Sequence, residues 1–581
     1  MSFSLPPLSV PTPHTEPLSP AFTASGVPRG ERYCLAALFV VLLGLRVLYA
    51  CNMNFNSDEA QHLHVVWAWA NGLLQYRDVF DNHTPLFHML CAPVFRLFGE
   101  TAMVMIYMRL AMIPLFAATL FFVVKIGARI FSLRAGLWAA VFTGYAPFFF
   151  LKTVEFRTDV LWTAMWLGTV AVVVCGRPGV WRMFCAGLML GATFGVSMKT
   201  TLLALALLCA GLSALVLWRR NGGALRAGAV LGGIGGGLAG MLIVPVSIVG
   251  YFAARHAVGE LYYGVIGHNI MPSEGHSRGI ASRLFWFPAT LPFLLMAAHF
   301  IFRGTADRAV AARRVLVLLA GGFYITLLHS YWPMITSQDY PPVIPLFVIL
   351  LAPGVLALAD WMRGLFPRLP RFALPLALAL AEIAATIQIV RPKSQTGGQI
   401  ELLSDVLRFT DRGDYVMDAK SGAIFRQRPF HFVLENVTRT RMERGLIADD
   451  IVERLISTRT CVASDERLLG KDRAFVMANY LPFARKMRIA GQHLDLDPVS
   501  GRAKFDIEIP APYVIITPHG PAAGMLDGKR YTGKVMLAAG PHEFVGEAPT
   551  GPHLLVWAQA LERGFQPSFS AEPAKPAGRN R

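Results

Sequence analysis

The chain has 581 residues, of which 54% are hydrophobic and 16% charged, and its formal net charge is +17 at pH 7. A soluble chain of this length carries more charged residues, and several apolar stretches approach the roughly 20 residues that cross a hydrocarbon core. Composition therefore excludes a soluble globular protein and predicts a polytopic membrane protein. Its spans should be helices, because strand-like alternation is absent.

The positive charge does not indicate a nucleic-acid partner. In the membrane half, Lys and Arg residues lie mainly in short loops between apolar segments, which is the pattern that sets membrane orientation. The seven cysteines show no paired C-x-x-C pattern that would predict a zinc site. Cys51 and Cys91 flank the first long loop, where a disulfide is conceivable, but free thiols are the better prediction.

The chain begins with a segment rich in Pro, Ser and Thr, and residues 1–34 are predicted to form a disordered cytoplasmic tail. The apolar segment 35–51 lacks an obvious small-residue cleavage site, so we expect a retained first span. Further spans are predicted at 101–124, 135–151, 158–175, 183–198, 200–218, 227–252, 284–302, 315–329, 343–361 and 372–390. That makes about eleven helical spans.

Loop charge sets the orientation. With a cytoplasmic N-terminus, every inside loop is basic, and the acidic residues fall in the outside loops. The polar outside loops are 52–100, 152–159, 253–283 and 329–342, and they converge on one face. We therefore predict a multi-pass protein of a bacterial-type inner membrane, with these loops on the periplasmic side.

After Arg391 the long apolar runs stop, and 391–566 is predicted to be a soluble α+β domain on the outside. Short strands are expected at 414–417 and 460–463, and a helix at 450–458. Residues 511–558 are predicted to be β-rich, with turns at Asp527-Gly528 and Ala539-Gly540. The last residues, 567–581, are predicted to be a disordered tail.

The first outside loop contains the most informative residues. Apolar side chains recur at helical spacing over 57–72 and again over 85–98, and both helices are expected to lie at the membrane interface. Asp58 and His62 are four positions apart and so share one helical face. A polar connector, 76–83, lies between the two helices.

These residue types suit the transfer of a sugar from a lipid phosphate, which needs a base for the acceptor hydroxyl and positive charge for the departing phosphate. Asp58 is the best candidate for the base, and we expect partial burial to raise its pKa. Glu59 is grouped with Asp58 as a catalytic candidate, and His62 and His83 are candidates for substrate binding. Glu59, His62 and His83 could also orient Asp58 or bind a divalent metal ion, with Asp58 and His83 as the candidate metal ligands. Any one of these residues alone is more simply a solvated loop residue, but the set together favours function.

The loop also resembles a known family. Asn56-Ser57-Asp58-Glu59, an aromatic-rich helix ending at Gly72, Tyr76-Arg77-Asp78 and His83-Thr84-Pro85-Leu86 are similar to polyprenyl-phosphate-sugar-dependent glycosyltransferases of the GT-C fold. The likeness is to the protein O-mannosyltransferase and aminoarabinose (lipid A) transferase group, and it covers about 35–390. It implies that Asp58 is catalytic. Thr84 departs from the pattern, because many relatives have a second Pro there.

Supporting residues lie in the other outside loops. Arg157 and Asp159 fall where the relatives carry a similar pair near the sugar phosphate, although a snorkelling Arg paired with local acids explains them equally well. Lys199, at the tip of two short spans, could bind a lipid phosphate, or it could be a solvated hairpin lysine. His268 and Tyr340 are assigned to substrate binding by resemblance.

The predicted function is an inverting glycosyltransferase whose active site lies outside the cytoplasm. Its donor would be a polyprenyl-phosphate-linked sugar, and its acceptor a cell-envelope glycan, lipid or protein. The alternatives are a lipid or sugar transporter or flippase, and a sugar-binding scaffold. Transporters usually show repeated halves and ionisable groups near the bilayer midplane; here no repeat is evident and the ionisable groups crowd one face.

Overall fold

The computed structural model describes residues 26–220, 227–270, 291, 295, 307–332, 335–484, 486–548 and 550–569. The predicted span 284–302 falls almost wholly outside these residues. So do most of the two predicted tails.

Up to Ile389 the regular secondary structure of the described residues is helical, apart from an isolated bridge between Gln75 and Val79. The helices are α1 Arg29–Asn52, α2 Ser57–Ala70, α3 Leu86–Arg96, α4 Val104–Leu110, α5 Ile113–Ile130, α6 Leu133–Tyr145, α7 Pro147–Val154, α8 Thr158–Val174, α9 Val180–Val196, α10 Thr200–Arg220, α11 Ala227–Ala253, α12 Val258–Tyr262, α13 Arg308–Tyr331, α14 Ile344–Leu365 and α15 Ala373–Ile389. A π-helix, Tyr263–Gly267, continues α12, and a 3₁₀ turn, Ser337–Asp339, precedes α14.

Six of the described helices are long and apolar enough to cross a membrane, or seven if the bent pair α6–α7 counts as one span. Helices α3, α8, α9 and α15 are apolar but shorter. Each predicted span within the described residues is helical, which confirms a polytopic helical membrane protein. The count of eleven stays a prediction.

The bend between α6 and α7 is 65°, and it places the C-terminal carbonyls of α7 beside α1. Arg46 of α1 is 2% exposed and donates hydrogen bonds to the carbonyl oxygens of Phe150 and Thr153. Its guanidinium thus satisfies carbonyls that a helix end leaves without partners. This arginine faces protein rather than lipid.

Helix α2 lies inside the protein. It begins with a capping box, in which Asn56 accepts from Asp58 N while Glu59 accepts from Asn56 N. Nine of its 14 residues are buried, and His64 contacts the carbonyl oxygen of Ile424 at 3.0 Å. The expectation that this helix lies on the membrane surface is wrong, because its buried residues run consecutively and leave no face for lipid.

The rest of the chain mixes helices and strands. The helices are α16 Gly397–Phe409, α17 Asn436–Glu443, α18 Ile451–Ser457, α19 Gly470–Asn479 and α20 Ala558–Glu562. The strands are β1 Val416–Met417, β2 Val462–Ser464, β3 Tyr480–Ala484, β4 Met487–Leu494, β5 Arg502–Ile507, β6 Ala511–Thr517, β7 Gly520–Pro521, β8 Gly524–Leu526, β9 Lys529–Arg530, β10 Val535–Leu537, β11 Gly540–Gly546 and β12 His553–Trp557. The predicted short strands, the helix near 450–458 and the β-rich segment are confirmed.

These strands form two sheets. One has the order β1-β2-β4-β12-β6-β10, with β3 on β4 and β7 on β6, and the other has the order β5-β11-β8-β9. Among the described strands, β1 and β2 pair in parallel and the remaining neighbours pair antiparallel. Helix α16 joins this region to the membrane helices, because Leu403 packs in the core of the membrane helices whereas Val406 and Phe409 pack in the core beneath the sheets.

Candidate active site

Asp58 lies in the first turn of α2, where the capping box fixes the backbone. Its carboxylate accepts a hydrogen bond from Arg157 Nη1 at 2.5 Å through one oxygen and from Lys420 Nζ through the other. The Asp58 side chain is 32% exposed, whereas those of Arg157 and Lys420 are 9% and 8% exposed. A partly exposed carboxylate is therefore held between two buried cations.

The two cations decide the ionisation of Asp58. Burial alone would raise its pKa, but the charges of Arg157 and Lys420 and their hydrogen bonds lower it well below the ordinary value. The expectation of a raised pKa is wrong for this reason. Asp58 is ionised at neutral pH and can accept a proton.

Arg157 links three acids at the start of α8. Its Nε lies 3.1 Å from Asp159 Oδ2 and 3.8 Å from Glu155 Oε2, while its Nη1 donates a hydrogen bond to Asp58. Burial would lower the pKa of Arg157, but Asp159 and Asp58 raise it above the ordinary value. The predicted residues Asp58, Arg157 and Asp159 thus meet in one cluster.

Lys420 was not predicted from the sequence. It sits in a tight turn in which the Asp418 carboxylate accepts hydrogen bonds from four successive backbone N–H groups, Lys420 to Ala423. Arg428 pairs with the same carboxylate at 3.6 Å. This Asx-type turn orients Lys420 towards Asp58. A charged Asp-x-Lys-Ser-Gly turn just after a short strand was the only local signal.

Glu59 faces away from the Asp58 carboxylate and is fully buried. Its oxygens accept hydrogen bonds from Arg109 Nε at 2.7 Å, Arg109 Nη2 at 2.6 Å and Phe156 N at 2.8 Å. Arg109 also donates to the carbonyl oxygens of Ala50, Met53 and Asn54. The pair therefore fixes the end of α1 and the start of α2 against the segment that carries Arg157. An arginine within the apolar run of α4 was a signal for such a partner.

His62 and His83 belong to a histidine cluster in which His62 and His88 are fully buried and the His83 side chain is 31% exposed. His62 Nδ1 and His88 Nε2 share a hydrogen bond of 3.0 Å, and His83 Nδ1 lies 3.0 Å from Asp81 Oδ1. The rings of His62 and His83 are 4.7 Å apart. Burial, with the charges of His83 and His88, lowers the pKa of His62 well below its ordinary value, so His62 is neutral.

The predicted metal ligands do not form a metal site in this arrangement. Within the described ranges no group of three or more His, Cys, Asp and Glu side chains is placed to hold an ion. The Asp58 carboxylate already accepts hydrogen bonds from Arg157 and Lys420. The His83 ring is hydrogen-bonded to Asp81. A carboxylate between an arginine and a lysine does not fit a divalent cation.

Lys199 lies in the break between α9 and α10, at the tip where the sequence placed it. Its ammonium pairs with Asp339, which is fully buried and also accepts from Thr336 N at 2.7 Å. The Trp332 ring centroid is 5.8 Å from the same ammonium. Tyr340 follows directly and contacts His329 Nε2 at 3.1 Å. These residues form a second charged group, separate from the cluster around Asp58.

His268 is fully buried beneath the C-terminal region. Its ring lies 4.7 Å from that of Phe80 and stacks 6.2 Å from that of Phe432. Its Nε2 is 3.5 Å from Glu435 Oε1. The loop that carries His268 is therefore bound to the segment around 432–441, where Arg441 donates to its carbonyl oxygen.

No protein-family model and no curated protein matches the chain. Among solved structures, ArnT from Cupriavidus metallidurans in the apo state matches with a TM-score of 0.53 and 12% identity, over 81% of this chain and 98% of that one. The same protein bound to undecaprenyl phosphate matches with a TM-score of 0.51 and 13% identity, over the same shares. The archaeal oligosaccharyltransferase AglB from Archaeoglobus fulgidus matches with a TM-score of 0.43 and 12% identity, over 85% of this chain and 74% of that one. The likeness to ArnT confirms the predicted GT-C fold.

Proposed function

We propose that this GT-C-fold chain is a glycosyltransferase that moves a sugar from a polyprenyl-phosphate donor to an acceptor hydroxyl. The observation that carries the proposal is the carboxylate of Asp58 held between Arg157 and Lys420. One ArnT structure of the same fold contains undecaprenyl phosphate, which supports a lipid-phosphate donor. The acceptor is a cell-envelope glycan, lipid or protein on the extracytoplasmic side of a bacterial-type inner membrane.

In the proposed reaction the acceptor oxygen attacks the anomeric carbon from the face opposite the phosphate. The carbon–oxygen bond to the phosphate breaks, and the configuration at the anomeric carbon inverts. The acceptor proton passes to the carboxylate of Asp58, and polyprenyl phosphate leaves with the electron pair. No oxidant or further reactant is needed.

Arg157 and Lys420 would stabilise the negative charge on the departing phosphate. Arg157 presents a forked guanidinium and Lys420 a point charge, and both are buried, where charge stabilisation is stronger than in water. Arg157 Nε donates a hydrogen bond to the carboxylate of Asp159, which fixes the position of the guanidinium. Lys199 is a third candidate, since its side chain is 23% exposed next to the loop that carries Tyr340.

Donor binding would also activate the base. A phosphate that binds Arg157 and Lys420 competes with Asp58 for the same donors. Because those two cations lower the pKa of Asp58, sharing them with phosphate raises that pKa and makes the carboxylate a better proton acceptor. The base is thus weak in the free enzyme and stronger once the donor is bound.

We assign the remaining predicted residues by their contacts. Glu59 acts by positioning α2 through Arg109, not by touching substrate. His62 packs against His83 at the end of the connector 76–83, and His83 pairs with Asp81 within that connector. Substrate contacts of His268 and Tyr340 remain proposals that rest on the family resemblance.

Asp58→Asn in the full chain tests the function, with polyprenyl-phosphate sugars as donors in membranes or nanodiscs. We expect transfer to fall about 10²- to 10⁴-fold, the usual effect of losing a general base. The matched control is Asp405→Asn on α16, whose partner is Arg408 within the same helix. Full transfer by Asp58→Asn would exclude the base assignment. If the wild-type chain consumes no such donor but moves the lipid across the bilayer, the flippase alternative holds instead.

A further inference from the structure

Positive charge also gathers at the far ends of the helices that carry the Asp58 site. Arg157 precedes α8 and Cys175 follows it, so the 17 residues of α8 separate the two by about 25 Å. At the Cys175 end, the segments 121–131, 170–186 and 307–320 contain one acid, Asp307. The same segments contain seven cations: Lys125, Arg129, Arg177, Arg182, Arg308, Arg313 and Arg314.

Four of these cations converge on the C-terminal end of α8. Cys175 Sγ donates to the carbonyl oxygen of Lys125 at 3.5 Å, which holds α5 against this end. Arg182 folds back from α9, and its Nη1 donates to the carbonyl oxygen of Val172 at 3.1 Å. Its guanidinium lies so close to Gly176 that a Cβ there would be 2.2 Å from Cζ. The cations whose charges act on the Cys175 thiol form a helix-end cluster: Lys125, Arg129, Arg182 and Arg313.

Arg129 and Arg313 bring α5 and α13 into this cluster. Arg129 lies one turn beyond Lys125 on the same face of α5. It is partly buried and makes no hydrogen bond or ion pair with any described residue. Its Nε is enclosed by protein, so an anion would reach Arg129 through the terminal nitrogens. Arg314, next to Arg313, donates from Nε to the carbonyl oxygen of Ile130 at 2.9 Å, which fixes α13 at the end of α5.

Membrane orientation alone does not account for the helix-end cluster. Orientation is set by positive charge in the loops, whereas all four residues of the cluster lie within α5, α9 and α13. Like charges this close repel each other, and partial burial reduces the screening by water and salt. Asp307, the one acid in these segments, accepts hydrogen bonds from Ala309 N and Val310 N and so caps α13. The excess of positive charge therefore indicates an anionic ligand.

Exposed aromatic rings beside the cluster indicate that this ligand is a lipid. Trp181, next to Arg182 in the chain, is 74% exposed and stacks on Phe184 with ring centroids 5.0 Å apart. Phe121 is 54% exposed, and the ammonium of Lys125 lies 5.2 Å from its ring centroid. Exposed aromatic rings beside cations are typical of the depth at which lipid headgroups meet hydrocarbon. A phospholipid can place its phosphate among the cations and its acyl chains on these rings, which a soluble anion cannot do.

We propose that the helix-end cluster binds the phosphate of an anionic phospholipid in the leaflet opposite the Asp58 site. Basic pockets between membrane helices are suited to such headgroups. The bound phosphate neutralises the repulsion among the four cations and joins the ends of α5, α9 and α13. This lipid is not consumed, and its binding does not depend on the proposed sugar transfer at the other end of α8.

Native mass spectrometry of the full chain in detergent tests the lipid site. The probe is dioleoyl phosphatidylglycerol, and dioleoyl phosphatidylcholine is the zwitterionic comparison. We expect the anionic lipid to bind at least tenfold more tightly than the zwitterionic one. Arg129→Gln combined with Arg313→Gln should weaken binding of the anionic lipid about tenfold or more. Arg129→Lys keeps the charge and should bind as the wild type does.

The matched control is Arg368→Gln, which removes an exposed cation between α14 and α15. Arg368 lies on the same side of the helices, because Arg134 at the start of α6 donates from Nη2 to the carbonyl oxygen of Arg371. Binding of the anionic lipid should be unchanged in this variant. Thermal unfolding in detergent without added lipid shows whether each variant is folded before its lipid affinity is compared.

Three results would overturn the proposal. The first is wild-type affinity in the folded double variant, or an equal loss in Arg368→Gln, which would mean diffuse surface charge. The second is displacement of the lipid by an equal concentration of inorganic phosphate or glycerol 3-phosphate, which would mean a soluble ligand. The third is loss of binding in Lys420→Met but not in the double variant, which would place the lipid at the Asp58 site. Sugar transfer enters none of these measurements, so the lipid site and the transferase can fail separately.

Discussion

Lys420 donates a hydrogen bond to the carboxylate of Asp58 although the two residues are 362 positions apart in the chain. Arg157 occupies the other oxygen of the same carboxylate, 99 positions from it. The charge cluster is therefore complete only when the membrane helices and the C-terminal region are folded against each other. The C-terminal region supplies part of the site itself.

Lys420→Met should lower kcat/KM for the donor, because a buried cation near the leaving phosphate is lost. It should also shift the acid limb of the pH profile of kcat/KM upward. Lys420 lowers the pKa of Asp58 in the free enzyme, so its removal raises that pKa, and Asp58 is then protonated at higher pH. Initial transfer rates across the pH range measure both effects.

Lys420→Arg is the conservative comparison and should keep the acid limb near its wild-type position. Lys486→Met, at an exposed lysine paired with Glu466, controls for general loss of charge. A loss of rate in Lys420→Met with no shift of the acid limb would contradict direct electrostatic contact with Asp58.

Lys199 and Asp339 allow stability to be separated from catalysis. Lys199→Met leaves the fully buried Asp339 without its cation, and breaking such a pair costs about 3–5 kcal/mol. Lys199→Met with Asp339→Asn removes both charges and should regain most of the thermal stability. If Lys199 binds phosphate, the double variant stays inactive despite its recovered unfolding temperature.

The outcome is read from thermal unfolding in detergent together with donor KM. Recovery of transfer along with stability in the double variant would make the pair purely structural. The Asp339→Asn single variant is the control, since Thr336 N can still donate to its side-chain oxygen.

Local pattern was enough to predict α2 and the place of Lys199, because both depend on spacing and on the ends of helices. Lys420 could not be predicted, since nothing within its turn reports a partner 362 positions away. The pKa of Asp58 was misjudged for the same reason: burial can be guessed from sequence, but two cations brought from distant segments cannot. Arg109 could have been found, because a lone arginine in an apolar helix requires a buried partner.

Glu59→Gln should destabilise the protein more than it impairs the chemistry. The neutral amide leaves the fully buried Arg109 guanidinium without its carboxylate, which costs about 3–5 kcal/mol. We expect a lower unfolding temperature, with transfer per folded molecule largely retained at low temperature. Glu453→Gln, on the exposed face of α18, is the control. A stable but inactive Glu59→Gln enzyme would instead assign Glu59 a catalytic role.

The pair of His83 and Asp81 should make stability depend on pH. Burial would lower the pKa of His83, but the charge and hydrogen bond of Asp81 raise it above its ordinary value. A raised pKa means that the folded state binds this proton more tightly than the unfolded state. The stabilisation is therefore fully present below the unfolded value of about 6.5 and is lost as the pH rises through the folded value.

His83→Gln lacks this titration, so its unfolding temperature should fall furthest below that of the wild type near pH 6, and the gap should narrow towards about pH 9. Thermal unfolding of both proteins across that range measures the gap. His519→Gln, at an exposed histidine of the C-terminal region, should show no such trend. A gap that stays constant with pH would mean that His83 is held by packing against His62, not by the charge of Asp81, because only the ion pair depends on the proton.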